Sequence, residues 1–473
     1  MEEQGYDYGM IGLGTMGRNL VYNMCDHGFS VAGYDKDLSM VDKLKQGIGN
    51  YKIVGARSIK ELTDALKKPR VVLLLVPAGS IVDAVIDGLK PSLSREDLVI
   101  DCGNSHFTDT DLRIKNLAKD NIHFMGIGIS GGEYGARNGP SIMPGGSKAT
   151  YARVSSMLEA ISAKANGEPC VTYLGTGSAG HYVKMVHNGI EYALMELIAE
   201  VYQLLKQGAG MTNNELHDVF SKWDLGSLHS FLISITADIF MKKDDLTGND
   251  LVDMILDSAH QKGTGAWTTE DAMAIEVPVP VIDISVSMRN LSALKEERNI
   301  AETLLLGPGK KINYGKNELV DLLGDALDFS FITVFAQGME LLQKASTVYK
   351  YELNLENIAA IWREGCIIRA SLLEDIRSAF STQPNLSNLM LSDVFKDRLI
   401  SLQEKIRHVA CMGIDTGIPL PALMASLAYY DSYRSGWLPD NLLQAQRDYF
   451  GAHTYERIDR EGIFHTQWNQ KES

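Results

Sequence analysis

Hydrophobic and polar positions follow two different rhythms along this chain. Up to about residue 178, short apolar runs are punctuated by glycine, and residues 8–11, 30–34, 71–76, 98–101 and 123–127 read as strands. Helical stretches such as 16–27 and 81–89 lie between several of them. Strands alternating with helices imply βαβ units, so residues 1–178 are expected to form a doubly wound α/β domain on a parallel sheet. From about residue 179 the apolar positions recur at three- and four-residue spacing, as on the buried face of a helix. The stretches 180–207, 213–223, 231–242, 282–303, 318–350 and 355–380 predict one large all-helical domain over residues 179–435. The tail, 436–473, is polar and aromatic (Tyr449, Phe450, Tyr455, Phe464, Trp468) with little periodicity. Such a segment is expected to pack against another surface, in this subunit or a second one.

Length agrees with this division, since 473 residues exceed one ordinary core and suggest two or three domains. A hydrophobic share of 45% and a charged share of 22% are those of a soluble globular protein. The formal net charge of −15 argues against a nucleic-acid partner, whose phosphates would be repelled over most of the surface. It leaves room for a local basic pocket that takes a small anion. No apolar run approaches the roughly 20 residues needed to span a bilayer. The start, MEEQGYDYGM, lacks the basic beginning and apolar core of a signal peptide. Cys25, Cys102, Cys170, Cys366 and Cys411 are scattered, with neither a disulfide framework nor a metal spacing. The expectation is a cytoplasmic protein with reduced thiols, no membrane segment and no metal.

Candidate chemistry begins at Gly12-Leu13-Gly14-Thr15-Met16-Gly17. A GxGxxG sequence alone is weak, but this one follows an apolar strand, opens a helix, and is followed by a second strand ending in an acidic residue, Asp35, near the usual spacing of about 20. Gly12 suits the tight turn, Gly14 lets a pyrophosphate approach the backbone, and Gly17 lets helix and strand pack closely. The helix N-terminus then meets the phosphate charge. This makes the first domain Rossmann-like. Asp35 can accept both ribose hydroxyls of NAD and would oppose the 2′-phosphate of NADP. Asp37 adds negative charge and Lys36 is the only local basic compensation, so NAD preference is predicted, with NADP possible.

Further on, Lys184, His187, Asn188 and Glu191 fall on one narrow face of a helix at about 100° per residue. A lysine whose pKa is lowered by burial can take a hydroxyl proton and later return it. A carboxylic acid can protonate a carbanionic or enediol carbon. The same residues also suit an ordinary Lys–Glu surface pair beside a satisfied histidine. Gly189 favours the first reading, because helix interiors avoid glycine unless something must approach closely. Asn104, in Asp101-Cys102-Gly103-Asn104-Ser105, follows a strand, where α/β sheets bind ligands. Ser130-Gly131-Gly132 follows another, and its amides could cradle a carboxylate. The turn over residues 140–146 reads as structural.

Taken together, residues 129–132 and 142–146, 186–192, Gln261-Lys262-Gly263-Thr264-Gly265 and 444–455 (QAQRDYFGAHTY) resemble the 6-phosphogluconate dehydrogenase family almost end to end. The match includes the C-terminal tail that shorter relatives lack. It implies oxidative decarboxylation of 6-phosphogluconate to ribulose 5-phosphate with reduction of NAD(P), in the pentose phosphate pathway. By position, Lys184 would be the general base and later acid, and Glu191 the proton donor to the enediol. Asn104, Ser130, Gly131, Gly132, His187 and Asn188 would hold the substrate carboxylate and hydroxyls. Tyr192, Lys262, Thr264 and Arg289 would bind its phosphate. Arg447 and His453 would reach the partner subunit's site, making a homodimer obligatory. The dinucleotide would lie on Gly12, Leu13, Gly14, Thr15, Met16, Gly17, Asp35, Lys36, Val76, Pro77, Ala78 and Asn104.

There are departures. Many NADP-using members resemble Asn-Arg-Thr where this chain has Asp35-Lys36-Asp37. Pro77 stands where a lysine or another polar residue is frequent, Ala266 replaces a lysine, and His106-Phe107 replaces an acidic–aromatic pair. Two competing readings are a related β-hydroxyacid dehydrogenase acting on an unphosphorylated acid and a non-catalytic nicotinamide-binding sensor. Lys262, Arg289 and Arg447 argue against the first, and the pair Lys184 and Glu191 against the second.

Overall fold

The computed structural model describes residues 5–47, 49 and 51–468. The first four residues of the acidic N-terminus and the last five of the tail lie outside the described residues. Seven strands, β1 (Tyr8–Ile11), β2 (Val31–Tyr34), β3 (Ile53–Gly55), β4 (Val71–Leu74), β5 (Leu98–Asp101), β6 (His123–Ser130) and β7 (Ser141–Pro144), form one sheet in the order β3-β2-β1-β4-β5-β6-β7. Six run parallel and β7 pairs antiparallel with β6. The helices α1 (Thr15–Asp26), α2 (Leu38–Gln46), α3 (Ile59–Asp64), α4 (Ser80–Leu89), α5 (Phe107–Ala118), α6 (Gly132–Asn138), α7 (Lys148–Ala152) and α8 (Ser155–Ile161) connect and flank it.

Strand periodicity explains the layers. Met10, Leu73 and Ile100 point into one apolar cluster, while their neighbours Ile11, Leu74 and Val99 point into a second on the other face. A parallel sheet buried on both faces needs apolar residues at nearly every strand position. That requirement made β1, β4 and β5 visible in the sequence. It also hid β3, a three-residue edge strand, and β7, whose Ser141 and Pro144 do not resemble a strand. The expected doubly wound parallel sheet is present, with β7 added as an antiparallel edge strand. The residues of β7, read from sequence as a structural turn, form that edge.

A short hairpin, β8 (Lys164–Ala165) with β9 (Glu168–Pro169), turns through Asn166 and Gly167, both at positive φ. The helical region then begins with α9 (Ala179–Gln203) and continues through α10 (Asn213–Asp224), α11 (Phe231–Met241), α12 (Leu251–Met254), α13 (Thr264–Ala274), α14 (Pro280–Ser292), α15 (Lys295–Leu304), α16 (Lys316–Tyr349), α17 (Leu355–Trp362), α18 (Leu372–Thr382), α19 (Lys396–Thr416) and α20 (Pro421–Tyr433). Helix α9 packs against α13, α14 and α16, and against β6 and β7 of the sheet. It is buried nearly all round, as a helix at the centre of a large helical domain is expected to be.

Three expected helices are interrupted. The 180–207 stretch ends in a π-turn over Leu204–Gly208. The 282–303 stretch breaks after Ser292, where Arg298 Nη2 donates to the Ser292 carbonyl at 3.0 Å. The 355–380 stretch opens between α17 and α18 because Gly365, at φ +71°, passes against the backbone of Gly139 and Pro140 and accepts from Ser141 N at 2.9 Å.

By packing, the chain forms two compact units, one reaching to Ser426 and the other starting at Leu427. The second holds α21 (Asp440–Gly451) and a hairpin of β10 (Tyr455–Glu456) with β11 (Ile463–Phe464). The tail is therefore more regular than its weak periodicity suggested. Its aromatics partly pack on one another, Tyr455 stacking on Phe464 at 6.2 Å. Buried Asp448 gathers it by accepting from Thr454 N, His465 Nδ1, Thr466 N and Trp468 Nε1. Among the described residues no helix is long and apolar enough to cross a membrane.

Candidate active site

The glycine-rich turn between β1 and α1 has the shape its spacing predicts. Gly12 sits at φ +96°, and any Cβ there would collide with the Leu75 carbonyl; one on Gly17 would strike the Gly12 carbonyl. A Cβ on Gly14 would meet nothing within 4 Å. The turn thus presents open backbone at a helix N-terminus, which fits a pyrophosphate. Asp35 does more than its sequence position announced. Its Oδ2 accepts from Leu13 N at 2.7 Å and its Oδ1 from Asp37 N at 2.9 Å, so it also pins the turn. Asp37 caps α2 through Ser39 N at 3.0 Å, and that hydrogen bonding to Ser39 holds its carboxyl below the usual range. Lys36 is exposed.

Beyond the carboxyl ends of the strands lies a cavity of about 710 Å³. Met16, Val76, Pro77, Ala78 and Asn104 line it from the sheet side, and Lys262, Thr264 and Trp267 from the α13 side. Dinucleotide and phosphate candidates far apart in sequence therefore share one cavity. His106 was absent from the candidate set. It stacks on Phe107 at 4.8 Å and meets the Trp267 edge at 5.0 Å, linking the two sides of the cavity. Its only sequence signal was the departure from an acidic–aromatic pair.

Ile129 of β6 also lines this cavity, and the next residue, Ser130, leads to the catalytic candidates. Ser130 Oγ stands 3.2 Å from His187 Nε2. The other ring nitrogen, Nδ1, is 3.4 Å from Lys184 Nζ, 3.1 Å from Asn188 Oδ1 and 3.8 Å from Glu191 Oε2. Lys184, His187 and Asn188 are buried and Glu191 is half-buried. The surface-pair reading of these residues is thereby excluded. Burial pushes the Lys184 amine down, opposed by the charge of Glu191. Burial pushes the Glu191 carboxyl up, opposed by Lys184 and Arg289. Both shifts favour the uncharged form, the state a lysine base and a carboxylic acid donor require. His187 lies well below its ordinary value through burial and the neighbouring lysine.

The partner of Gly189 is protein. A Cβ there would stand 2.7 Å from Thr268 Cγ2, and Thr268 Oγ1 donates to Met185 O at 2.9 Å. The glycine seats α13, with Thr264 at its start, against α9. Tyr192 follows on α9. The Arg289 guanidinium lies 3.5 Å from the Tyr192 ring centroid, and Gly265 packs so closely on the same ring that a Cβ there would collide with it. Tyr192, Arg289 and the Thr264 segment are thus contiguous. Gly131 caps α6 at φ +124°, with no room for a Cβ beside Gly365 O, and Gly132 is exposed at φ +61°.

Arg447 and His453 belong to the second compact unit. Both are exposed; Arg447 Nη1 donates to Gln444 Oε1 at 3.1 Å, and His453 meets the Phe450 ring edge-on at 5.9 Å. Among the described residues no group of three or more His, Cys, Asp or Glu side chains could hold a metal ion.

The chain is similar to known proteins over nearly its whole length. The model for the NAD binding domain of 6-phosphogluconate dehydrogenase matches residues 7–175, and that for the C-terminal domain of 6-phosphogluconate dehydrogenase matches residues 180–468. A Bacillus subtilis (strain 168) protein named 6-phosphogluconate dehydrogenase, NADP(+)-dependent, decarboxylating, is 51% identical over 461 residues, 97% of this chain and 98% of the relative. The decarboxylating 6-phosphogluconate dehydrogenase of Escherichia coli (strain K12) is 47% identical with the same coverage. A solved structure of Plasmodium falciparum 6-phosphogluconate dehydrogenase, studied in its apo form and with NADP+ and 6-phosphogluconate, aligns with a TM-score of 0.94 at 43% identity, covering 98% of this chain and 100% of that one. With both halves matched and nearly the whole length aligned, the chain belongs to the 6-phosphogluconate dehydrogenase family.

Proposed function

We propose that this chain oxidatively decarboxylates 6-phosphogluconate to ribulose 5-phosphate and carbon dioxide, with NAD as its preferred dinucleotide and NADP as the poorer one. The observation that carries the reading is the buried face of Lys184, His187, Asn188 and Glu191 beside Ser130, with the lysine pushed down and the carboxyl pushed up. Each group is biased toward the protonation state its task needs.

The dinucleotide fits the open turn at Gly14 and the acidic end of β2. When bound, its nicotinamide supplies the acceptor for the hydride from C3 of the substrate. Lys184 takes the C3 hydroxyl proton. The resulting 3-keto acid loses carbon dioxide, the electrons moving toward the new carbonyl, and protonated Lys184 stabilises the oxyanion. Glu191 then delivers a proton to the carbon that becomes C1 of ribulose 5-phosphate. Ser130, Gly131, Gly132, Asn104, His187 and Asn188 hold the carboxylate and hydroxyls, and Tyr192, Lys262, Thr264 and Arg289 take the phosphate. Arg447 and His453 complete the site of a second subunit, so the working form is a homodimer.

NAD preference rests on Asp35 and Asp37. The Bacillus subtilis relative is named for NADP(+), so the preference is a departure from that relative and is argued from charge alone. A 2′-phosphate beside two carboxylates and one exposed lysine meets a mismatch, and about 1.4 kcal/mol of it is tenfold in affinity.

The test is reduction of NAD and of NADP by the purified protein with 6-phosphogluconate. Faster turnover with NAD supports both halves of the proposal. Faster turnover with NADP keeps the reaction and removes the reading of Asp35. Silence with both, in folded protein, removes the reaction.

A further inference from the structure

We propose that Arg113 is a positioning residue for dinucleotide binding, a clamp that holds the loops after β4 and β5 in one fixed relation; the inference rests on the dinucleotide site proposed above. Those two loops supply Val76, Pro77, Ala78 and Gly79 on one side, and Gly103 and Asn104 on the other, to the cavity wall. The strand ladder between them ends where Cys102 N donates to the Leu74 carbonyl at 2.8 Å. Both loops bond to Arg113, which comes from α5 and lies beneath them.

The geometry uses the whole guanidinium. Nη2 donates to the Gly79 carbonyl at 3.0 Å and Nε to Asp83 Oδ1 at 2.7 Å, tying down the start of α4. Nη1 donates to Ser105 Oγ at 3.2 Å and to Asp101 Oδ2 at 3.4 Å, tying down the end of β5. Asp101 completes the second arm: its Oδ1 accepts from Gly103 N at 3.0 Å and its Oδ2 from Ser105 Oγ at 2.6 Å. The Asp101 side chain is fully buried and that of Arg113 is 5% exposed. A buried ion pair is weak evidence for stability, since apolar groups of similar volume often serve as well. What apolar groups cannot do is hold a carbonyl, a hydroxyl and two carboxylates at set distances along a cavity wall. A planar five-donor fork can, and a lysine ammonium cannot reach all four.

The same pair meets the catalytic helix. His181, one turn before Lys184, donates from Nε2 to the Asp101 carbonyl at 3.1 Å; a carbonyl only accepts, which fixes the tautomer. Its Nδ1 then accepts from Thr110 Oγ1 at 2.6 Å, on α5. Asp101 therefore joins the Arg113 clamp to the helix that carries Lys184.

The experiment compares Arg113→Met, Arg113→Lys and Asp83→Ala with the unaltered full-length protein. Dissociation constants for NADH and NADPH are measured by fluorescence without substrate, then the Michaelis constants for dinucleotide and 6-phosphogluconate, then thermal midpoints. Losing a charge-assisted hydrogen-bond network is expected to weaken dinucleotide binding, measured without substrate, about tenfold in Arg113→Met, with a smaller rise of about threefold in the 6-phosphogluconate constant through Asn104, which faces both ligands. Arg113→Lys regains part of this loss. Asp83 is 57% exposed, so Asp83→Ala should fold and weaken binding about threefold in the same direction. Unchanged dissociation constants in folded Arg113→Met overturn the proposal, as does an equal loss for dinucleotide and substrate. If Arg113→Met does not fold, the Asp83→Ala dissociation constants decide alone. Absence of turnover in the unaltered protein would sink the proposed reaction and leave this binding test standing.

Discussion

Gly128 of β6 lies directly against the stem of Lys184: a Cβ added there would stand 2.9 Å from Lys184 Cγ and closer still to its Cβ. The missing side chain is what lets a lysine be buried against the sheet with its amine 3.4 Å from His187. Gly128→Ala must push the lysine stem or the α9 backbone away, and overpacking of this kind costs about 1–3 kcal/mol. Turnover is expected to fall more than tenfold while NADH binding stays within a few-fold, because misplacing a reacting group by about 1 Å can lose two orders of magnitude. Stopped-flow turnover with a parallel NADH titration checks this. An alanine variant with normal turnover would show that the close packing does not set the lysine's position.

Lys184→Ala removes the proposed base itself. Turnover is expected to drop by at least the 10²–10⁴-fold typical of lost acid–base catalysis, with dinucleotide binding unchanged. Near-normal turnover in this variant would take the lysine out of the mechanism.

The legible parts of the molecule were those where local chemistry forces a pattern. Gly17 is dictated by the Gly12 carbonyl within the same turn, so that part of the fingerprint could be read from spacing, whereas Gly12 answers to the Leu75 carbonyl just after β4, a contact that only the fold makes. The face holding Lys184, His187, Asn188 and Glu191 follows from helical geometry alone. The interruption at Gly365 could not be read, because its cause is the backbone of Gly139 and Pro140, distant in sequence. Close approach does explain Gly189, but what approaches is Thr268 of another helix, so the glycine does not by itself favour a catalytic face. His106 and Arg113 gave little or no local signal, since their value comes from contacts made after folding.

Burial pushes Glu200 of α9 up to about 8, although it accepts backbone bonds from Ala422 N at 2.6 Å and Leu423 N at 2.9 Å at the start of α20. A carboxyl with a raised folded pKa holds its proton more tightly in the fold than in the open chain. Its contribution to stability is therefore complete below the unfolded value near 4.5 and is lost as pH rises toward about 8. Glu200→Gln cannot titrate, so its stability should fall less across that window, the difference being on the order of a few kcal/mol. Urea denaturation of both proteins at pH 5 and pH 8 measures it. Parallel losses would mean that the two amides keep Glu200 ionised throughout.

Asp35→Asn keeps an acceptor for Leu13 N and removes the charge. The NADP-to-NAD ratio of kcat/KM is expected to rise about tenfold or more, the worth of roughly 1.4 kcal/mol of relieved repulsion. An unchanged ratio would mean that Asp35 serves only to pin the glycine-rich turn.

The tail prediction separates a role within one subunit from a role across two. If Arg447 completes the partner's site, Arg447→Ala should chiefly raise the Michaelis constant for 6-phosphogluconate; an unchanged constant would put the tail outside the site. Mixing gives the sharper result. In a dimer of one Lys184→Ala chain and one Arg447→Ala chain, the second chain's own Lys184 would face the intact Arg447 of the first, restoring one site of two. Random exchange makes half the dimers mixed, so activity should recover to about a quarter of the unaltered level at low substrate. Were Arg447 to act on its own subunit, every site would carry one defect or the other and mixing would restore nothing.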